Sequence, residues 1–388
     1  MTASANLAIL AQQEFLFHRD ESNPQTYRLR PAPTEQERID RTSLTCPRNP
    51  LTKVIGNREA RKRLGRAACS ALAHANHVCN DLAFLFTGPK GVGKTNIARR
   101  FAELLQLPLI EISPACLKTA HDLFLEIKNG LEHAGIPLVE CKGDKRFVLP
   151  PCVIFVDECH DLKSKPKVVT ALLKAVAQND LTLRTEHGYH VKTNNVTWSM
   201  ATTDRGDIFD ALDDRFTEIP LNLYTKAEVA EIVWLNYGQG QANDGKPELS
   251  REACGLVAHY RARHPRKALE FAREVRLAKR STNTWREACE EVARDCGIDQ
   301  WGMDRRLVQI LTILGKKPVA KDRLPTLIGV KEAELKKFHL PFLLCETDDQ
   351  QAYINVTGQG YTITRAGLAE LDKRGIAHSG PKALGEHA

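Results

Sequence analysis

No stretch of the chain approaches the ~20 consecutive apolar residues that a bilayer-spanning helix requires. The longest uninterrupted runs, such as 151–156, are strand-sized, which argues against an integral membrane protein. Residues 1–15 (MTASANLAILAQQEF) lack the basic opening and sustained apolar core of a secretory leader, so secretion is not expected. No C-x-x-C pair occurs among the 11 cysteines, and their odd number and scatter do not describe a disulfide framework. They read as reduced, mostly packed thiols of a cytoplasmic protein. Neither a collagen-like nor a disordered composition is present, since 42% of the 388 residues are hydrophobic and 27% charged. At roughly 150 residues per domain, this length suggests two or three domains. The net charge of +7 is mild, permitting contact with nucleic acid without demanding it.

What is present changes along the chain. Residues 1–50 are rich in Gln, Glu, Arg and Pro without an apolar period, and are expected to form a loosely structured extension. From Arg58, the positions Ala60, Leu64, Ala67, Ala68, Ala71 and Leu72 recur at helical spacing. An apolar strand over 82–86 breaks at Gly88 and Pro89, and a helix over 94–105 follows. A strand over 109–112, a helix over 120–134 and a Gly/Pro/Lys-containing excursion over 135–151 come next. Then come an apolar strand over 153–156, a helix over 167–177, two short strands around His187 and Gly188, and a strand over 196–200. Strands alternating with helices, several of them continuously apolar, predict an α/β fold with a parallel sheet covered on both faces.

Beyond Pro220 the pattern is helical, with helices expected over 226–237, 250–261, 265–280 and 285–294. Helices over 305–314, 321–328 and 331–338, a hairpin turning at Gly358, Gln359 and Gly360, and a last helix from Thr364 make a winged-helix pattern. The expected divisions are an extension (1–50), an α/β domain (51–220), a helical domain (221–296), a winged helix (297–375) and a frayed tail (376–388).

The sharpest motif is Gly88, Pro89, Lys90, Gly91, Val92, Gly93, Lys94 and Thr95, a G-x-x-x-x-G-K-[ST] loop between strand and helix. Its glycines let backbone N–H groups and the helix N-terminus face a phosphate chain. Lys94 can then reach the β/γ oxygens and the Thr95 hydroxyl can ligate Mg²⁺. The apolar strand ending in Asp157 and Glu158 supplies the complement, one carboxylate for hydrated Mg²⁺ and one to polarise the attacking water. An acidic pair after a strand is ordinarily a solvated loop; the phosphate loop upstream reverses that reading. Thr203 ends the next strand, where its hydroxyl can meet the γ-phosphate or its water, and Arg215 twelve residues on has the type needed for a finger. The spelling D-E-x-H over 157–160 raises a two-lobed helicase, but the residues after Pro220 supply no second strand-helix alternation.

Taken in order, Val54-Ile55-Gly56, GPKGVGKT, VIFVDECHDL, MATTDRGDIFDALDDRF and Arg263-His264-Pro265-Arg266 resemble the AAA+ ATPases, and most closely the RuvB family of Holliday-junction branch-migration motors. The likeness covers about residues 50–375, including GIDQWGMDRRLVQIL and TGQGYTITRAGL. It implies that Val54 and Ile55 border adenine, that Lys94 and Thr95 handle the phosphates and Mg²⁺ of ATP, and that Asp157 and Glu158 are the Walker B pair. It further implies Thr203 as sensor 1, Arg215 as an arginine finger acting in trans, Arg266 as sensor 2, a homo-oligomeric ring, expected to be a hexamer, and a winged helix that contacts DNA.

The chain also departs from that family. Cys159 and Asp161 replace an Ile and an Arg, and the hairpin between Leu181 and Val196 is shorter, carrying Glu186, His187 and His190 near its tip. This argues against partnership with a RuvA-like protein. The excursion 135–151 and the first fifty residues have no counterpart in the family. The wing lacks arginines at its tip, which leaves Lys331, Lys336, Lys337 and Arg365 as the basic candidates for DNA. Residues 297–388 hold 13 Lys and Arg against 11 Asp and Glu, a net of only +2. His74, His77 and Cys79, like Cys159 and His160, lack the spacing of a zinc site. The run Arg58, Arg61, Lys62, Arg63 and Arg66 reads as a wet helix face. Two functions follow: an ATP-driven DNA motor, or an ATP-switched loader or remodeller of a mobile-element or defence complex that acts on a protein partner.

Overall fold

The computed structural model describes residues 15–19, 27–31, 34–73, 82–136, 138–141, 145–177, 179–203, 212, 214–241, 244–262, 264–346, 351–358 and 360–379. Of these, 15–19, 27–31, Ala73, 139–141 and Lys337 are described by backbone alone. His74, His77, Cys79, Arg263 and Gln359 lie outside the described residues. The chain divides into two compact units, Met1–Gly88 with Gly93–Leu221, and Pro89–Val92 with Asn222–Ala388.

The first unit corrects the expectation of a loose N-terminal extension. β1 (Phe15–Arg19) pairs antiparallel with β2 (Tyr27–Pro31), and α1 (Glu35–Thr42) follows. α1 opens on a capping box: Thr34 Oγ1 accepts from Glu37 N at 3.3 Å, and Glu37 Oε2 accepts from Thr34 N at 2.7 Å. Arg41 donates to the Leu104 carbonyl at 2.8 Å. The buried Asn49 amide donates to the Thr42 and Ser43 carbonyls, at 3.0 Å each. The segment 34–50 is therefore fixed by polar groups, a mode that an apolar period does not reveal.

α2 (Arg58–Ala73), β3 (Ala83–Thr87), α3 (Lys94–Leu105), β4 (Leu109–Ile112) and α4 (Ala120–His133) follow in order. The excursion forms β5 (Val139–Cys141) and β6 (Arg146–Val148). Beyond it lie β7 (Cys152–Val156), α5 (Pro166–Val176), β8 (Thr182–Arg184), β9 (His190–Lys192), β10 (Val196–Thr202) and β11 (Thr217–Pro220). The main sheet is wholly parallel, in the order β11-β3-β10-β7-β4. β3, β7 and β10 are buried throughout; β7 is wholly apolar, whereas β3 ends in Thr87 and β10 also buries Thr197, Ser199 and Thr202. The edge strand β11 goes beyond the expected set; only its Ile219 is buried, so it carries no apolar run.

A second sheet, β5-β6-β9-β8, joins the excursion to the hairpin, with β6 parallel to β9. Glu186 at the hairpin tip accepts from Ala120 N and His121 N, at 3.2 Å each, and so caps α4 from another element. His121 meets the His187 ring edge-on at 4.3 Å, and Lys145 donates to the His187 carbonyl at 3.1 Å.

The second unit contains α6 (Lys226–Tyr237), α7 (Arg251–Tyr260), α8 (Pro265–Ala278) and α9 (Trp285–Asp295). Thr225, Ser250 and Thr284 cap α6, α7 and α9. The fully buried Arg276 guanidinium lies against Asp244 and 4.7 Å over the Tyr237 ring. α10 (Arg305–Lys316) and α11 (Arg323–Ile328) come next. The helix expected over 331–338 is broken into Glu332–Glu334, a π-helical Leu335–His339 and Leu340–Leu344. β12 (Ile354–Thr357), β13 (Gly360–Ile363) and α12 (Arg365–Lys373) close the winged helix. Its core includes Leu307, Ile310, Leu311, Leu324, Leu343 and Leu371. Residues 376–379, expected to fray, are held by Ile376 N to the Leu371 carbonyl and Ser379 N to the Gly315 carbonyl, both at 3.0 Å.

Candidate nucleotide site

β3 runs into Gly88, whose φ of 144° favours glycine and whose added Cβ would meet the Leu221 carbonyl oxygen at 2.3 Å. Gly93, at φ 86°, stands at the N-cap of α3 without a side-chain cap, which leaves the helix's first N–H groups for an anion. Lys94 is 6% exposed, and its ammonium donates to the Gly88 carbonyl at 2.9 Å, folded back on the loop it belongs to.

Thr95 Oγ1 donates to Asp157 Oδ2 at 3.1 Å. Asp157 stands just past β7, its N–H donating to the Ile112 carbonyl of β4 at 3.2 Å. The next residue, Glu158, takes the left-handed conformation at φ 51°, a cost of about 1 kcal/mol for a residue with a side chain. Thr203, one residue beyond β10, donates to Glu158 Oε2 at 3.1 Å. The parallel register, with Thr202 beside Thr87 of β3 and Met200 beside Val156 of β7, delivers these groups to one end of the sheet. Five residues distant in sequence, Lys94, Thr95, Asp157, Glu158 and Thr203, thus gather where three central strands stop, the crevice that ligands use in open α/β sheets. Hydroxyl and carboxylate oxygens are the hard donors that Mg²⁺ accepts, so Thr95 and Asp157 fit that ion.

Pro89, Lys90, Gly91 and Val92 group with the second unit. Within it, the Val92 carbonyl accepts from Tyr224 Oη at 2.8 Å, and a Cβ on Gly91 would lie 3.7 Å from Arg266 Cβ. Arg266 is exposed immediately after Pro265, the first residue of α8. A cation in a helix's first turn opposes the helix dipole, so its charge is poised for an anion rather than for the helix. Val54 is buried and Ile55 half-buried, directly after the turn Pro50–Lys53 that packs on α3. Arg215 is exposed on the turn before β11, beside the buried Phe216.

The candidate DNA residues are less concentrated. Lys331 and Arg365 are exposed, and Lys336 is exposed but paired with Glu332 at 2.7 Å. The Lys337 side chain lies outside the described residues. Among the described residues, no group of three or more His, Cys, Asp or Glu side chains is arranged for a metal ion. Burial, reinforced by the Glu158 charge, pushes the Cys159 thiol up to about 12. Among the described residues, no helix is long and apolar enough to cross a membrane.

Sequence reasoning missed the place of His160. In the short 3₁₀ helix Cys159–Ser164 after β7, its Nδ1 stands 3.4 Å from Glu158 Oε2 and 3.3 Å from Thr202 Oγ1. The signal was the histidine two positions past the glutamate, read in the sequence only as a helicase spelling or half of a metal pair.

Residues 84–221 match the family model described as "ATPase family associated with various cellular activities (AAA)". Among curated proteins, the chain is 26% identical over 337 residues to Holliday junction branch migration complex subunit RuvB 2 of a Synechococcus species, covering 83% of this chain and 81% of the relative. The corresponding RuvB subunit of Mycoplasma genitalium is 25% identical over 333 residues, covering 84% and 97%. Among solved structures, the Thermotoga maritima RuvB Holliday junction branch migration motor superposes with a TM-score of 0.58 at 22% identity, covering 82% of this chain and 95% of that one. A point variant of the same protein reaches 0.61 at 21% identity, with 83% and 96% covered. The structural likeness speaks for the fold alone, residues 84–221 match the AAA ATPase model, and the chain as a whole is similar to RuvB subunits at low identity.

Proposed function

We propose that the chain is a motor that hydrolyses Mg²⁺-ATP at the interfaces of a homo-oligomeric ring, with six subunits expected, and uses the cycle to drive branch migration or translocation of DNA in the cytoplasm. The observation that carries the reading is the convergence of Lys94, Thr95, Asp157, Glu158 and Thr203 at one end of the sheet. Mg²⁺, when bound, would neutralise phosphate charge. The N–H groups of the loop Gly88 to Gly93 bind phosphate oxygens, and Lys94 exchanges its bond to the Gly88 carbonyl for one to phosphate. Thr95 and Asp157 hold the metal. Glu158 takes a proton from the attacking water, with Thr203 fixing the carboxylate. Val54 and Ile55 border adenine, Arg266 reaches the γ-phosphate from the helical domain, and Arg215 completes the site of a neighbouring subunit.

In this reading, residues 51–220 are the ATPase domain, 221–296 the helical lid, and 297–375 a DNA-contacting winged helix with Lys331, Lys336, Lys337 and Arg365 as the candidate DNA residues. Support for DNA as the substrate comes from the relatives, whose names are those of branch-migration subunits. A second reading, a remodeller acting on a protein partner, is favoured by one observation: the hairpin tip is tied to α4 through Glu186 instead of standing free. The ATPase rate, measured with duplex, forked and four-way DNA across a salt series, separates them. Stimulation by four-way DNA that fades with salt supports the motor; a rate flat with every DNA selects the remodeller. Glu158→Gln should retain ATP binding and lose most turnover, and unchanged hydrolysis would remove Glu158 from its role.

A further inference from the structure

Two groups converge on one oxygen of Glu158. Thr203 Oγ1 donates to Oε2 at 3.1 Å, and His160 Nδ1 stands 3.4 Å from the same atom. The imidazole is itself held: Nδ1 lies 3.3 Å from Thr202 Oγ1, and Nε2 lies 3.8 Å from Asp161 Oδ1. Thr202 is fully buried at the end of β10, so one contact of the ring is anchored in the sheet. Glu158 needs such help. Its backbone is left-handed and its side chain is 35% exposed, so neither packing nor a regular backbone fixes where the carboxylate points.

We propose that His160 is a positioning residue for ATP hydrolysis, setting through Nδ1 the rotamer in which Glu158 meets the attacking water. Thr203 and His160 then act as a two-point clamp, Thr203 from the strand end and His160 from the turn after the Walker B strand. With Nδ1 protonated, its single N–H is shared between Glu158 Oε2 and Thr202 Oγ1, and the Thr202 contact limits how far the ring swings. The carboxylate keeps its second oxygen, Oε1, for the water. A general base works only within hydrogen-bond reach of the proton it takes, so freeing the carboxylate lowers turnover more than it lowers nucleotide affinity. This inference rests on the assignment of Glu158 as the water-polarising group.

The two ring nitrogens make a pair of substitutions informative. Asparagine places an amide nitrogen near the position of Nδ1, whereas glutamine places one near Nε2. His160→Ala should lower kcat for ATP about tenfold or more while KM changes less than about threefold, the pattern of a contact used in the transition state. His160→Asn should recover most of the loss and His160→Gln little of it. In a Glu158→Gln background, His160→Ala should add nothing, because both act through the same carboxylate. Binding of a fluorescent ATP analogue and the thermal midpoint, measured for each variant, identify any protein that has failed to fold. A folded, ATP-binding His160→Ala enzyme with kcat within twofold of the parent would overturn the proposal, as would recovery by Gln in place of Asn. If instead Glu158→Gln alone hydrolyses ATP normally, the assignment of Glu158 fails, an outcome readily told apart from failure of the clamp.

Discussion

At the scale of single residues, two positions carry obligations that ordinary substitutions do not share. Gly88 combines φ 144° with a backbone oxygen 2.3 Å from any added Cβ, and that oxygen belongs to Leu221, whose N–H is already bonded to the Thr87 carbonyl at 2.8 Å. Neither side can give without breaking strand pairing. Gly88→Ala is therefore expected to weaken ATP binding by more than tenfold and to cost about 1–3 kcal/mol of stability, read by nucleotide titration and denaturant unfolding. Arg374 is 5% exposed on its side chain, bonded to Asp299 at 2.6 Å and to Glu370 at 2.7 Å, and lies 5.0 Å over Trp301. Arg374→Ala removes hydrogen bonds to Asp299 and Glu370, leaving Glu370 with Lys373 alone, and should cost about 1–3 kcal/mol, seen as a lower urea midpoint. Burial raises the pKa of Glu370, but hydrogen bonds from Lys373 and Arg374 outweigh it and hold the carboxyl below its usual range. A carboxyl lowered in this way stabilises the fold above the unfolded value of about 4.3, and the contribution is lost as pH falls through the lowered native value. Glu370→Gln should flatten that acid limb in an unfolding-versus-pH series; an unchanged limb would assign the acid sensitivity elsewhere. Gly88 was legible as part of the phosphate-loop motif, whereas Arg374 was not, because its bond to Asp299 spans 75 positions.

At the scale of elements, the sequence was readable where burial is two-sided and obscure where polar groups do the fixing. The strands β3, β7 and β10 declared themselves because every position is buried. The helices α6, α7 and α9 were read from their helical pattern, and the structure adds the caps Thr225, Ser250 and Thr284. α1 escaped notice because its only buried residue is Thr42 and its capping box is written in threonine and glutamate. β5 and β6 escaped because the parallel pairing of Arg146–Val148 with His190–Lys192 spans more than forty residues. The π-helical turn at Leu335–His339 interrupts what reads in sequence as one helix. The cap that Glu186 provides to α4 makes a prediction at this scale. Glu186→Ala should speed amide hydrogen exchange at Ala120, His121 and the hairpin, and cost about 1 kcal/mol, with ATPase activity within twofold of the parent. Exchange unchanged at those amides would mean that the Thr119 capping box alone holds the helix.

At the scale of the whole molecule, motif order was enough to read the architecture, because the phosphate loop, the acidic strand and the threonine-ended strand must lie side by side in a parallel sheet for their spacing to make sense. On the proposed reading, Arg215 completes the site of a neighbouring subunit. The exposure of Arg215 on the turn ahead of β11 leads to the expectation that Arg215→Ala subunits and Lys94→Ala subunits, each inactive alone, regain part of the ATPase rate when mixed. No regain at any mixing ratio would place the finger elsewhere.

The joining of the 135–151 excursion to the 182–192 hairpin in one four-stranded sheet also limits what recombination can do with this chain. The two segments form a single heritable module split across the gene. A longer relative's hairpin grafted without residues 139–148 would arrive missing half its scaffold, so swaps that keep both pieces should express as soluble protein while one-piece chimeras precipitate.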